Sequence, residues 1–304
     1  MKRSLYDDGV LIDLSIGFWS ALARNQADDL RIKEDVPDFV VGLGMKQLVD
    51  RKTRRAWAQI AGHARYVLRK HSFAFPIAEV RFVPLGVLGV VEAGLRAVQK
   101  DFFAARDHLL AHYDKIRQDM LRRSERHQAA LAQSYPPVGT LKNLFYFTWQ
   151  PFTLSLPRNF KKAALDARQR KALDDAETRY KRELETRVQH FINEAVTTLR
   201  AKTVEMCRVV AEKARNGDVV TNRSLNSLRE HIDRFKELNF FDDPCERQLD
   251  ALKRELLNGR DAETFDDDAL RAELTSSLDG VIRAAGSVQD TSAVSGAYRR
   301  RILL

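Results

Sequence analysis

Two histidines four residues apart, His108 and His112 in "HLLAH", are the nearest thing in this chain to a metal site. On a helix they share a face, as zinc ligands do. But Leu109 follows His108, where a metalloprotease carries its general-base glutamate, and no third ligand is identifiable. Two polar positions on a long helix is the simpler account. The carboxylate runs Asp242-Asp243 and Asp266–Asp268 lack the alternating spacing and glycine of a calcium loop. Next to Pro244 and Ala269 they suit a turn and a helix N-cap. Cys207 and Cys245 match no metal spacing and make no disulfide framework, which fits a reducing compartment. There is no GxxxxGK[ST], GxGxxG or GxSxG. The chemistry-bearing residues therefore point to no reaction and no cofactor, and the expectation is a protein that is not an enzyme.

A different stretch carries more information. "LFYFTWQPFTLSLPRNFKK", residues 144–162, holds six of the 26 aromatic side chains. Phe145, Phe147 and Trp149 alternate with Tyr146, Thr148 and Gln150, and beyond Pro151 Phe152 and Leu154 continue the alternation. Period two predicts short strands with one apolar face. Phe145, Phe147 and Trp149 should pack inward while Tyr146 stays accessible. Lys142, Arg158, Lys161, Lys162 and Arg168 surround the segment with positive charge, opposed by Asp166 alone. A small capping core is the plain account. Three binding accounts stand beside it: an aromatic and arginine protein contact, stacking on single-stranded nucleic acid, and insertion at an anionic membrane surface. The last suffers from the many polar residues in the segment.

The elements that must position this segment are helical. The chain has 304 residues, 31% of them charged, with only 14 glycines and 8 prolines, which argues against an all-β fold. "GVLIDLSIGF" alternates as a short strand, and "RAWAQIAGHARYVLRKH" repeats its apolar residues at helical spacing. Pro84 is placed to open a long helix from about Leu85 to Ser134. Its seam runs through Leu88, Val91, Leu95, Val98 and Phe102, then changes to an eleven-residue spacing, as from Phe102 to Tyr113. A second long helix, from about Phe160 to Asn216, places Leu173, Leu184, Ala195 and Met206 eleven apart, and likewise Val188, Leu199 and Val210. That period keeps helices nearly straight. The two are expected to pair as an elongated, antiparallel, coiled-coil-like hairpin with its aromatic, basic tip at 135–160. The expected division is an N-terminal strand and helix region at 1–84, the hairpin at 85–216, C-terminal helices at 217–285 and a flexible basic tail at 286–304. The fold class is thus mainly α with short β elements at the N-terminus and the tip. Asp7, Asp8 and Asp13 interrupt any apolar leader, and the longest strongly apolar run, Phe82–Val91, is half the length of a membrane span. A cytoplasmic location follows as an expectation.

The N-terminal third resembles an uncharacterised helical family of phages and bacteria, one of the domains of unknown function. The resemblance rests on "LIDLSIGFW" with Trp19, on Asp29-Leu30, on Pro37, on Leu43-Gly44 with Lys46, and on Asp50. It continues through Phe75, Val83-Pro84, Phe103 and Tyr113, and covers about residues 10–120. Met45 stands where the family usually has a small residue, and no Gly-Gly pair follows Phe75. Members are often encoded near MoxR-type AAA+ ATPases and proteins with von Willebrand factor A domains. The resemblance implies a non-enzymatic partner in an ATPase-linked assembly. Taken with the eleven-residue periodicity, the basic segment and the lack of catalytic motifs, it makes a helical scaffold or adaptor the expectation, with protein partners and homo-oligomers in view. It supplies no catalytic residue. Nucleic-acid binding by the basic tip is the alternative, and a membrane-active role is third.

Overall fold

The computed structural model describes residues 5–24, 41–42, 45–123, 128–154 and 167–286. Residues 287–304 of the expected tail lie outside these residues, as do Arg158, Lys161 and Lys162 of the aromatic, basic segment. Within them the protein is mostly helical, with short strands. The chain divides into two compact bodies that interleave along the sequence. The first comprises residues 1–11, 71–88 and 151–304, and the second residues 12–70 and 89–150.

Strand β1 (Gly9–Gly17) begins in the first body and continues in the second. It belongs to a four-stranded sheet of order β5-β6-β1-β7, with β5 at Phe73–Ala74, β6 at Arg81–Pro84 and β7 at Tyr146–Phe152. The alternation read from "FYFTWQ" is realised in β7. A three-stranded antiparallel sheet, order β2-β4-β3, joins Leu22–Arg24, Met45–Gln47 and Val41–Gly42 in the second body.

In the second body, helix α1 (Arg51–Lys70) buries Trp57, Ala61, Ala64 and Leu68 along one face, and helix α2 (Leu85–Arg122) buries Val91, Leu95, Val98 and Phe102 along its seam. The eleven-residue spacing is real: Phe102 and Tyr113 are both buried, as are Leu109 and Met120. The helix is nonetheless shorter than expected. It ends at Arg122 rather than Ser134, and two short helices follow, α3 (Gln128–Ala132) and α4 (Val138–Asn143). The Tyr113 hydroxyl donates to the Pro136 carbonyl at 2.7 Å. Across 23 residues of continuous helix those groups would lie about 34 Å apart, so the chain has doubled back. Tyr135 fixes the return by donating to the Leu48 carbonyl at 2.8 Å.

In the first body, helix α5 (Ala167–Arg215) is the spine. Its stripe Val188, Leu199 and Val210 is buried, in one cluster with residues of helices α6 (Asn222–Leu238), α7 (Cys245–Leu252) and α8 (Asp268–Gly286). Helix α5 packs chiefly against α8, and also against α6. Phe191, on the same face of α5, meets Phe75 and Phe82 at ring separations of 5.1 and 5.4 Å. Gly217 ends the helix with φ +73, a left-handed conformation in which Asp218 donates its amide to Lys213 at 3.0 Å. Leu225, Leu228, Ile232, Phe235 and Leu238 form the buried face of α6 expected from their spacing, and Asp267 caps α8 by accepting from the amides of Ala269 and Leu270.

Candidate functional site

The segment singled out by its aromatic residues is divided between the two bodies. Lys142, Phe145, Tyr146, Phe147 and Trp149 lie in the second, and Phe152 and Arg168 in the first. In the second body the chain leaves α4 and enters β7 with Phe145 and Phe147 turned inward. Phe145 meets Trp57 at 4.9 Å and Phe102 at 6.2 Å, and Phe147 meets Phe102 at 5.5 Å. Both are buried, so these rings are core, and they rest on the middle of α2 and on α1. Trp149 is half-buried and sits edge-on to Phe147 at 6.0 Å. The Phe147 carbonyl accepts from the Gln99 side chain at 2.9 Å.

The opposite face is open. Tyr146 is 48% exposed, and the residues leading to it add Leu144 at 40% and Val138 at 43%. Lys142 is exposed among them. Among the described residues, three of the ten exposed large apolar side chains thus fall within nine positions of one body. Tyr146 lies over Gly17 of β1, where the absence of a side chain lets the ring settle on the strand. In the first body Phe152 is half-buried against the α5 core, and Arg168 is exposed near the start of α5.

The weaker signals resolve as structure. His108 and His112 lie side by side on the exposed side of α2, their rings tilted by 31° with centres 4.3 Å apart, and His112 Nδ1 donates to the His108 carbonyl at 2.8 Å. Among the described residues no three His, Cys, Asp or Glu side chains are grouped to hold a metal. Burial, with the nearby charge of Cys245, pushes the Cys207 thiol up to about 12; burial, with Asp243, pushes Cys245 up to about 11. Both stay protonated and poorly nucleophilic. Asp242 has φ +57, as a turn residue does. Its neighbour Asp243 is more than a turn residue. It is buried, and its carboxylate accepts from Arg200 Nε at 2.5 Å and Nη2 at 2.8 Å, and from the Cys245 amide at 2.9 Å. The trace of this pair in the sequence is a charged residue, Arg200, beside Leu199 on the buried stripe of α5.

A family model described as "Protein of unknown function (DUF3150)" matches residues 6–263. The chain belongs to this family. The match reaches well past the N-terminal third that first suggests such a relationship, and takes in α5, α6 and α7. Helix α8 lies beyond it, although it packs along α5 in this DUF3150 chain. No curated protein and no solved structure matches the sequence. Among the described residues no helix is long and apolar enough to cross a membrane.

Proposed function

We propose that this DUF3150 protein is a non-enzymatic helical scaffold or adaptor, of phage or mobile-element type, acting in the cytoplasm within an assembly linked to a AAA+ ATPase. The observation that carries the proposal is the run of exposed apolar residues from α4 into β7. Val138, Leu144 and Tyr146 expose apolar surface beside Lys142, while the neighbouring Phe145 and Phe147 hold the backbone against the core. A rigidly backed aromatic beside a cation has the make-up of a protein-contact hot spot. The partner class comes from the resemblance to proteins encoded near MoxR-type ATPases and von Willebrand factor A-domain proteins.

The test is co-expression of the chain with a MoxR-type ATPase and a von Willebrand factor A-domain protein from the same genome, followed by size-exclusion chromatography. Co-elution with either, lost in Leu144→Ser/Tyr146→Ser, is the expected result. Co-elution that survives the double substitution moves the interface elsewhere, and separate elution of all three proteins defeats the proposal.

A further inference from the structure

Helix α1 carries a charge pattern that the contact surface on β7 does not explain. Its twenty residues contain seven lysines and arginines and no acidic residue. Three of them, Arg51, Lys52 and Arg54, occupy the first turn, where the helix dipole is positive and cations are disfavoured by about 0.3–1 kcal/mol each, and Arg55 follows directly. Only Asp50 offsets them, accepting from the Thr53 amide at 2.9 Å as an N-cap does. Arg123, on the turn after α2, adds its charge beside Asp50. No ion pair joins any α1 cation to an acid among the described residues. Other helices mix the two signs and pair some of their cations, as Arg96 is paired with Glu92 and Arg122 with Asp119 on α2. Seven cations with no acid on the same helix, offset only by the one cap, concentrate positive charge on its exposed side.

We infer that the outer face of α1 is a nucleic-acid-binding surface that tracks the phosphate backbone, with Tyr66 available to stack on a base. Lys52, Arg55, Gln59, His63, Tyr66 and Arg69 follow one another along the exposed side, and Tyr66 is 53% exposed. The helix is about 30 Å long, the length of about nine base pairs of duplex. Two features favour nucleic acid over other polyanions. The apolar side of α1 is locked in the core, with Trp57 against Phe102 at 5.5 Å, so the helix has nothing to insert into a membrane. The outer face also lacks the apolar centre that a protein interface desolvates: beside Tyr66 it offers Gln59 and an open Gly62.

The experiment is fluorescence anisotropy of the full chain with labelled single-stranded and duplex oligonucleotides over a salt series, with poly-glutamate as competitor. Three proteins are compared: wild type, Lys52→Ser/Arg55→Ser/Arg69→Ser on α1, and Lys171→Ser/Arg179→Ser/Arg182→Ser on α5, which removes the same charge. Wild type and the α5 variant should bind alike, with log affinity falling linearly with log salt. The α1 variant should bind more weakly, with a slope smaller by about two to three, at about 0.7–0.9 per lost phosphate contact. If that variant melts early, the single changes Arg55→Ser and Arg69→Ser carry the test, each lowering the slope by about 0.7–0.9. An α1 variant indistinguishable from wild type overturns the inference. So does an equal loss in the α5 variant, which would reduce the effect to net charge. Displacement by poly-glutamate as readily as by unlabelled oligonucleotide would replace nucleic acid with an acidic protein.

Discussion

Tyr146 on β7 packs against Gly17 on β1, so closely that a Cβ on Gly17 would sit 2.1 Å from the tyrosine ring. The pair sets the one exposed aromatic of the β7 face in place without burying it. Replacing Gly17 by alanine must push the ring outward. Because the displaced atoms belong to the far end of an exposed side chain, the cost should be modest, about 1 kcal/mol, or roughly 2–4 °C in Tm. Partner binding through β7 should suffer more than stability does. Calorimetry and co-elution on the same variant separate the two effects.

The two inward aromatics of this strand should differ in their contribution. Phe147 is 1% exposed and packed on Phe102, so Phe147→Ala should cost about 3–5 kcal/mol. Trp149 is half-buried at the open end of the same row, and Trp149→Ala should cost about 1–2 kcal/mol. Urea denaturation of both variants checks the order. Equal losses would mean that Trp149 is as fully packed as Phe147.

Hydrophobic spacing made much of this fold legible, because it reports which face of an element is buried. The α6 face, the straight stripe of α5 and the alternation of β7 all follow from it. It does not report what covers a face: the α5 stripe meets α8 and α6, and nothing in Val188, Leu199 or Val210 names those partners. Nor does it register a reversal. Leu131 continues the eleven-residue series of α2 and is buried, yet it belongs to α3, after the turn. The reversal is fixed by hydrogen bonds from Tyr113 to Pro136 and from Tyr135 to Leu48, between residues 23 and 87 positions apart. At the candidate site, alternation separated Tyr146 from Phe145 and Phe147. The Arg200–Asp243 pair escaped because "DDP" already had a sufficient local account as a turn.

That buried pair gives an asymmetric prediction. The Arg200 and Asp243 side chains are 5% and 0% exposed. Asp243→Asn removes the charge while the guanidinium stays in the core, and should cost about 3–5 kcal/mol. The double change Arg200→Met/Asp243→Leu leaves no orphaned charge and should cost less than the single one. Equilibrium unfolding of the two variants decides it: a double variant less stable than Asp243→Asn would show that the pair contributes net stability beyond avoiding an uncompensated charge.

His231 makes stability depend on pH in a fixed direction. It is 4% exposed on α6. Thr203 donates its hydroxyl to the Leu199 carbonyl at 2.9 Å, so the 2.9 Å contact from His231 Nε2 must have the imidazole as donor. Nδ1 is then the bare lone pair, buried and without a hydrogen-bond partner among the described residues. Burial first, then the charges of Lys202 and Arg234, depress its pKa to about 4. Between about pH 4 and pH 6.5 the unfolded chain therefore binds a proton that the folded chain refuses, and stability rises with pH across that window. The contribution is complete above about pH 6.5 and is lost as pH falls towards 4, a change of about 3 kcal/mol at 1.36 kcal/mol per pH unit. Urea unfolding at pH 7.5 and pH 4.5 should show a steeper loss for wild type than for His231→Gln, which keeps a side-chain amide to donate to Thr203 but cannot take up a proton. Parallel losses in the two proteins would mean that His231 is protonated in the folded state.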